Sequence, residues 1–74
     1  MNALIVIHPD IQSGTPVFAN TRVPVKNLFD YLKGGHTVAE FVEDFPSVTS
    51  EHALAVLSFA EATLTFSTHD SAVA

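Results

Sequence analysis

The segment from residue 11 to residue 25, IQSGTPVFANTRVPV, constrains the fold more than any other part of the chain. Gly14 can adopt the left-handed backbone conformation that most residues avoid, and Asn20 is one of the few other residues that tolerates it. Pro16 fixes its own φ and favours an extended conformation in the residue before it. Pro24 lacks an amide hydrogen, which costs nothing in the first turn of a helix. The pattern predicts two very short strands joined by tight turns, followed by a helix that begins at Pro24.

The stretches on either side of this ribbon predict one strand and three helices. Leu4–Ile7 is apolar and predicts a short strand, and a turn at residues 8–10 follows it. After the ribbon, apolar residues recur at the spacing i, i+3, i+4, i+7 that is typical of an amphipathic helix. These residues are Val25, Leu28, Phe29 and Leu32. Gly34 and Gly35 end this helix.

A second helix begins at Thr37, because Glu40 three residues later completes a capping box. Its apolar face is formed by Val38, Phe41, Val42 and Phe45. Pro46 ends it. Thr49 predicts the cap of a third helix that continues to about Phe66.

The third helix carries two apolar stripes, and together they are wider than the single stripe of a typical surface helix. The first stripe is Ala53, Leu57, Ala60 and Leu64, and the second is Val56, Phe59, Thr63 and Phe66. One stripe can close the core of the domain. Either the helix is central in a three-helix core, or the second stripe contacts a partner. We favour the partner interface, and we assign Val56, Phe59, Thr63 and Phe66 to it.

The length of the chain indicates one domain, which we place at residues 1–66, with residues 67–74 as a flexible tail. A domain of this size buries only about 60% of its unfolded surface, so its own core stabilises it weakly. Even so, 47% of the residues are apolar, and the absence of cysteine excludes a disulfide. Oligomerisation explains this apolar excess most simply, and we expect a homodimer.

The net charge of −5 is unfavourable for a nucleic-acid-binding protein, since phosphate contacts need basic side chains. Arg22, Lys26 and Lys33 are the three basic residues, and all lie within one short window. They are either solvated charges around the first helix or a small patch that contacts an anion or nucleic acid. The Ala3–Ile7 stretch lacks a basic flank, and no apolar run approaches the roughly 20 residues of a membrane span, so we expect a cytoplasmic protein.

These elements predict an α+β fold, with a short N-terminal β-ribbon followed by a three-helix bundle of helix-turn-helix type. With these elements, the chain resembles the domain of unknown function 433 family over about residues 4 to 60. The matching positions are Gly14, Pro16, Val17, Thr21–Val25, Gly35, Thr37, Glu40, Phe45–Pro46, Val48–Thr49, Glu51, Leu57 and Phe59–Ala60. The chain has Asn20 where the family usually has glycine, and His52 where it often has aspartate.

The resemblance implies a dimer with a winged-helix-like or helix-turn-helix-like fold. It also implies an antitoxin-type protein that binds and silences a PIN-like ribonuclease toxin. The alternative is a homodimeric DNA-binding regulator, because the second and third helices have helix-turn-helix spacing. The third helix contains no lysine or arginine, however, and the negative charge of Glu51 would repel the phosphates of DNA.

The residue pattern does not indicate an enzyme, a metal site or a cofactor site. The four histidines lie far apart in the sequence, and no two have the i, i+4 spacing of a helical zinc site. Ser71 follows His69 and Asp70, but the expected flexible tail cannot hold a catalytic triad in register. The acidic residues Glu40, Glu43 and Asp44 share one helix face, which is either solvated or a site for a divalent metal ion, and we favour the solvated face.

Arg22 has two possible roles in this scheme. Its guanidinium can bond to backbone carbonyls or a carboxylate and so attach the ribbon to the helices, or it can reach into the acidic site of a nuclease partner. We favour the first role.

Overall fold

The computed structural model describes the backbone of residues 4–71 and the side chains of residues 4–65. Two short strands, β1 (Ile5–Val6) and β2 (Val17–Phe18), form an antiparallel pair. Three helices follow: α1 (Val25–Lys33), α2 (Val38–Asp44) and α3 (Ser50–Ser71). The predicted α+β fold is confirmed. Within the described residues, no helix is both long enough and apolar enough to cross a bilayer.

The ribbon differs from the prediction in how its strands pair. β2 pairs with β1, with Ile5 opposite Phe18, instead of pairing with a second strand inside residues 11–25. The expected second strand is reduced to a single bridge between Val17 and Pro24. The chain turns back too soon for a longer ladder, because Asn20 has φ of +65° and the Phe18 amide already donates to the Val23 carbonyl at 2.9 Å.

The helix ends largely match the predictions. Pro24 is extended and precedes α1, which begins one residue later than predicted. The capping box of α2 is complete: the Glu40 amide donates to Thr37 Oγ1 at 3.1 Å, and the Thr37 amide donates to Glu40 Oε1 at 2.8 Å. At the start of α3, the His52 amide donates to Thr49 Oγ1 at 3.0 Å. Side-chain caps therefore satisfy amides that the first turns leave free.

The core lies where the three helices and β2 meet, and the predicted apolar faces of α1 and α2 supply part of it. Its buried residues are Phe18, Val25, Leu28, Phe41, Val48, Ala53 and Val56. Phe29, Leu32, Val38, Val42 and Phe45 are half-buried against this cluster. The two buried residues that α3 supplies, Ala53 and Val56, both lie in its N-terminal half.

The backbone of α3 extends to Ser71, beyond the predicted end at Phe66. The side chains from Phe66 onward and residues 72–74 lie outside the described part of the chain. The flexible tail at residues 67–74 therefore stays a prediction.

Candidate partner-binding surfaces

The exposed apolar surface of α3 is arranged differently from the two stripes of the sequence pattern. Ala53 from one stripe is fully buried, and Val56 from the other is only 2% exposed. One turn further along, Phe59 is 58% exposed, and Leu64 is 67% exposed. The change from buried to exposed therefore occurs along the helix, because β2, α1 and α2 cover only its first turns. Val56, one of the four residues predicted for the partner interface, is buried in the core.

The exposed part of α3 borders a shallow apolar groove of about 300 Å³, which we call the α3 groove. Its lining residues are Ile5, Val25, Phe29, Val56, Phe59, Ala60, Thr63 and Leu64. A neighbouring hollow of about 230 Å³ is lined by Leu4, Ile5 and Phe59. Phe59 and Ile5 thus border both cavities. Of the four residues predicted for the interface on α3, Val56, Phe59 and Thr63 line the groove, Val56 as a buried residue. The side chain of Phe66 is outside the described residues.

Arg22 is exposed, and its guanidinium makes no hydrogen bond or ion pair with any residue whose side chain the structure describes. The expectation that this guanidinium attaches the ribbon to the helices is therefore wrong. The Arg22 backbone is instead held within the ribbon, because the Gln12 side chain donates through Nε2 to the Arg22 carbonyl at 3.2 Å. On the other side of Arg22, the Val23 amide donates to Thr21 Oγ1 at 3.0 Å. These two hydrogen bonds restrain the backbone around Arg22, while the exposed guanidinium can contact a partner.

The loop that braces Arg22 has an unusual backbone. Gln12 and Ser13 have φ of +51° and +55°, and Gly14 follows at +86°. Positive φ is uncommon outside glycine and costs free energy at each such residue. Sequence reasoning identified the turn at Gly14 but missed the two residues before it, since neither glutamine nor serine signals a left-handed conformation.

The two lysines of the predicted anion-binding patch are paired with one carboxylate. Lys26 Nζ lies 2.8 Å from Asp30 Oδ2, and Lys33 Nζ lies 4.0 Å from Asp30 Oδ1. The hydrogen bond from Lys26 lowers the pKa of Asp30 below its ordinary value. Because Asp30 offsets part of the lysine charge, Arg22 is the basic side chain most available for an anionic group.

His52 has a structural position that the sequence interpretation missed. Its Nε2 lies 2.9 Å from the Leu4 carbonyl, and its ring meets the Phe18 ring edge to face at a centroid distance of 5.2 Å. It therefore links the start of the described chain to α3. No local pattern in the sequence signals this contact, because His52 and Leu4 are 48 residues apart.

Two acidic residues of α2 make hydrogen bonds within the domain. Glu40 belongs to the capping box, and Asp44 accepts a hydrogen bond from the Tyr31 hydroxyl at 2.6 Å. That hydrogen bond raises the pKa of Tyr31, while the Thr37 amide lowers the pKa of Glu40. Among the described residues, no group of three or more His, Cys, Asp or Glu side chains is arranged to hold a metal ion.

Three comparisons place this fold among known proteins. The model of a family described as a protein of unknown function (DUF433) matches residues 5–60. The uncharacterized protein y4eO of Sinorhizobium fredii is 37% identical over 59 residues, which are 80% of this chain and 27% of y4eO. The crystal structure of a DUF433 member from Anabaena variabilis ATCC 29413 has a TM-score of 0.67 and 31% identity, covering 78% of this chain and 57% of that chain. This chain thus spans only part of the length of both proteins.

Proposed function

This chain belongs to the DUF433 family, and we propose that it is a non-catalytic, cytoplasmic binding module of the antitoxin type. Its partner in this proposal is a PIN-like ribonuclease toxin, which it binds and neutralises. The observation that carries the proposal is the exposed Arg22 guanidinium, which has no partner among the described side chains. An unpaired guanidinium on a braced backbone is suited to bidentate contact with a carboxylate.

The electrostatics of the chain agree with this role. An acidic nuclease site binds a guanidinium through charge-assisted hydrogen bonds, and the fixed backbone around Arg22 reduces the entropy lost on binding. The bonds from Gln12 to the Arg22 carbonyl and from the Val23 amide to Thr21 supply that fixation. Lys26 and Lys33 are less suited to the contact, because each already lies near Asp30.

The test is an inhibition assay with the nuclease encoded by the gene adjacent to that of this chain. Cleavage of a fluorescent RNA is measured while the purified chain is titrated into the nuclease. We expect the wild-type chain to abolish cleavage at a stoichiometric ratio. Loss of one partner of a buried charge pair costs about 2–5 kcal/mol, so Arg22→Ala should raise the inhibition constant by about thirtyfold or more.

Two variants and one further measurement control this test. Arg22→Lys keeps the charge but loses the bidentate fork, so it should recover only part of the inhibition. Lys33→Ala removes a basic residue that lies near Asp30 and should inhibit almost like the wild type. Thermal melting of Arg22→Ala should match that of the parent within about 0.5 kcal/mol, as for other exposed substitutions. Undiminished inhibition by Arg22→Ala would show that the contact lies elsewhere, and an uninhibited nuclease would refute the antitoxin role.

A further inference from the structure

We propose that the α3 groove is the interface with a second copy of this chain, in which the Phe59 ring of each copy enters the hollow of the other. Phe59 is 58% exposed and stands between the α3 groove and the hollow lined by Leu4 and Ile5. One surface therefore presents both a projecting ring and a cavity beside it. A twofold interface requires such a self-complementary patch, because each residue contact is made twice.

The course of α3 supports an occupant that packs along the helix. From residue 57 to residue 65, no described side chain is buried, although the helix continues to Ser71. Most helical stability in proteins comes from packing of an apolar face, and the described part of this half of α3 has little such packing. A second α3 that crosses near Phe59 would cover the exposed turns of both copies at once. The half-buried Ala60 is small enough to let the two helices approach closely.

The uncharged lining of the groove and the hollow favours a second copy over a charged partner. Each chain has a net charge of −5, so two copies repel one another wherever their acidic residues meet. None of the described residues that line the groove or the hollow is ionisable. Two copies can therefore join here without burying like charges. A basic partner would instead be recognised by acidic residues, and the described lining supplies none.

Sedimentation equilibrium of the chain alone tests this interface without the nuclease, so its result does not depend on the proposed antitoxin role. We expect twice the chain mass of 7.9 kDa at micromolar concentration. Phe59→Glu places a charge in the interface and should raise the dimer dissociation constant by about thirtyfold or more, as for a central interface residue. Ser58→Glu adds the same charge at the neighbouring exposed position, outside the lining residues, and should leave the constant within about threefold. A monomeric wild-type chain, or equal effects of the two variants, would overturn the proposal.

An isotope-filtered nuclear Overhauser experiment on the wild-type chain tests the same contact without a substitution that affects folding. A mixed sample of labelled and unlabelled chains reports only contacts between copies. We expect transfer between the Phe59 ring of one copy and the Ile5 methyl groups of the other. A dimer that shows no such transfer would place the interface elsewhere and contradict the proposal.

Discussion

Some single residues in this protein determine contacts that the neighbouring sequence does not predict. His52 contacts the Leu4 carbonyl across most of the described chain and also packs edge to face on the buried Phe18. Asn20 adopts φ of +65°, which reverses the chain between Phe18 and Val23. Both residues replace the residue that the family resemblance predicts, and each fits its position. Asparagine tolerates the left-handed corner, and the imidazole reaches the Leu4 carbonyl just before β1.

His52→Ala should destabilise the fold measurably. It removes a hydrogen bond worth about 1 kcal/mol and a ring contact of similar size. Since 1 kcal/mol corresponds to about 4–8 °C in a domain of this size, the melting temperature should fall by at least several degrees. His8→Ala is the matched control, because His8 is exposed and bonds only within its own turn. If the two variants melt alike, the link between His52 and Leu4 contributes nothing to stability.

At the scale of elements, the short helices depend on their ends. α2 has only seven residues, which is too short for a helix that is stable by itself. It is held by Phe41 in the core and by the capping box, in which Thr37 and Glu40 satisfy one another's backbone amides. The Glu40 carboxylate also lies 3.3 Å from His36 Nδ1. The start of α2 is therefore sensitive to the ionisation of Glu40.

The pH dependence of stability should reveal this sensitivity. The hydrogen bond from the Thr37 amide makes the pKa of Glu40 lower in the folded chain than in the unfolded chain. The resulting stabilisation is present above the ordinary pKa of glutamate and is lost as the pH falls through the lower folded value. Glu40→Gln keeps the capping geometry but not the charge. The wild type should therefore melt above Glu40→Gln at about pH 7, and the difference should be smaller at about pH 3, below the ordinary pKa of glutamate. A difference that is equal at both pH values would contradict the assignment.

At the scale of the whole molecule, charge and shape favour different functions. α2 and α3 are joined by a short turn at residues 45–49, which is compatible with a helix-turn-helix. The exposed residues at the start of α3 include Glu51, and the helix contains no lysine or arginine. The pairing of both lysines with Asp30 weakens the basic patch further.

The chain alone should therefore bind duplex DNA weakly and without sequence preference. At about 150 mM salt, we expect dissociation constants no tighter than the non-specific range of about 10⁻⁴–10⁻⁶ M. Fluorescence anisotropy with the DNA upstream of its own gene, and with a shuffled sequence of equal length, measures this. Specific binding near 10⁻⁸ M by the isolated chain would favour the DNA-binding regulator.

The amino-acid sequence by itself determined the features that arise within a few neighbouring residues. The capping box at Thr37 and Glu40, the left-handed corner at Asn20 and the apolar face of α1 follow from local backbone geometry and periodicity. The helix order and the α+β class followed from the same signals. These features could be predicted because the atoms that stabilise them are close together in the chain.

Only the tertiary structure decided which surfaces are covered and which side chains have partners. β1 rather than a ribbon neighbour pairs with β2, Val56 is buried while Phe59 is exposed, and the Arg22 guanidinium has no partner among the described side chains. Periodicity gives the direction of a side chain around its helix, but it does not tell how far the other elements extend along that helix. Burial and pairing depend on residues distant in sequence, and their positions are set by the packing of the whole fold.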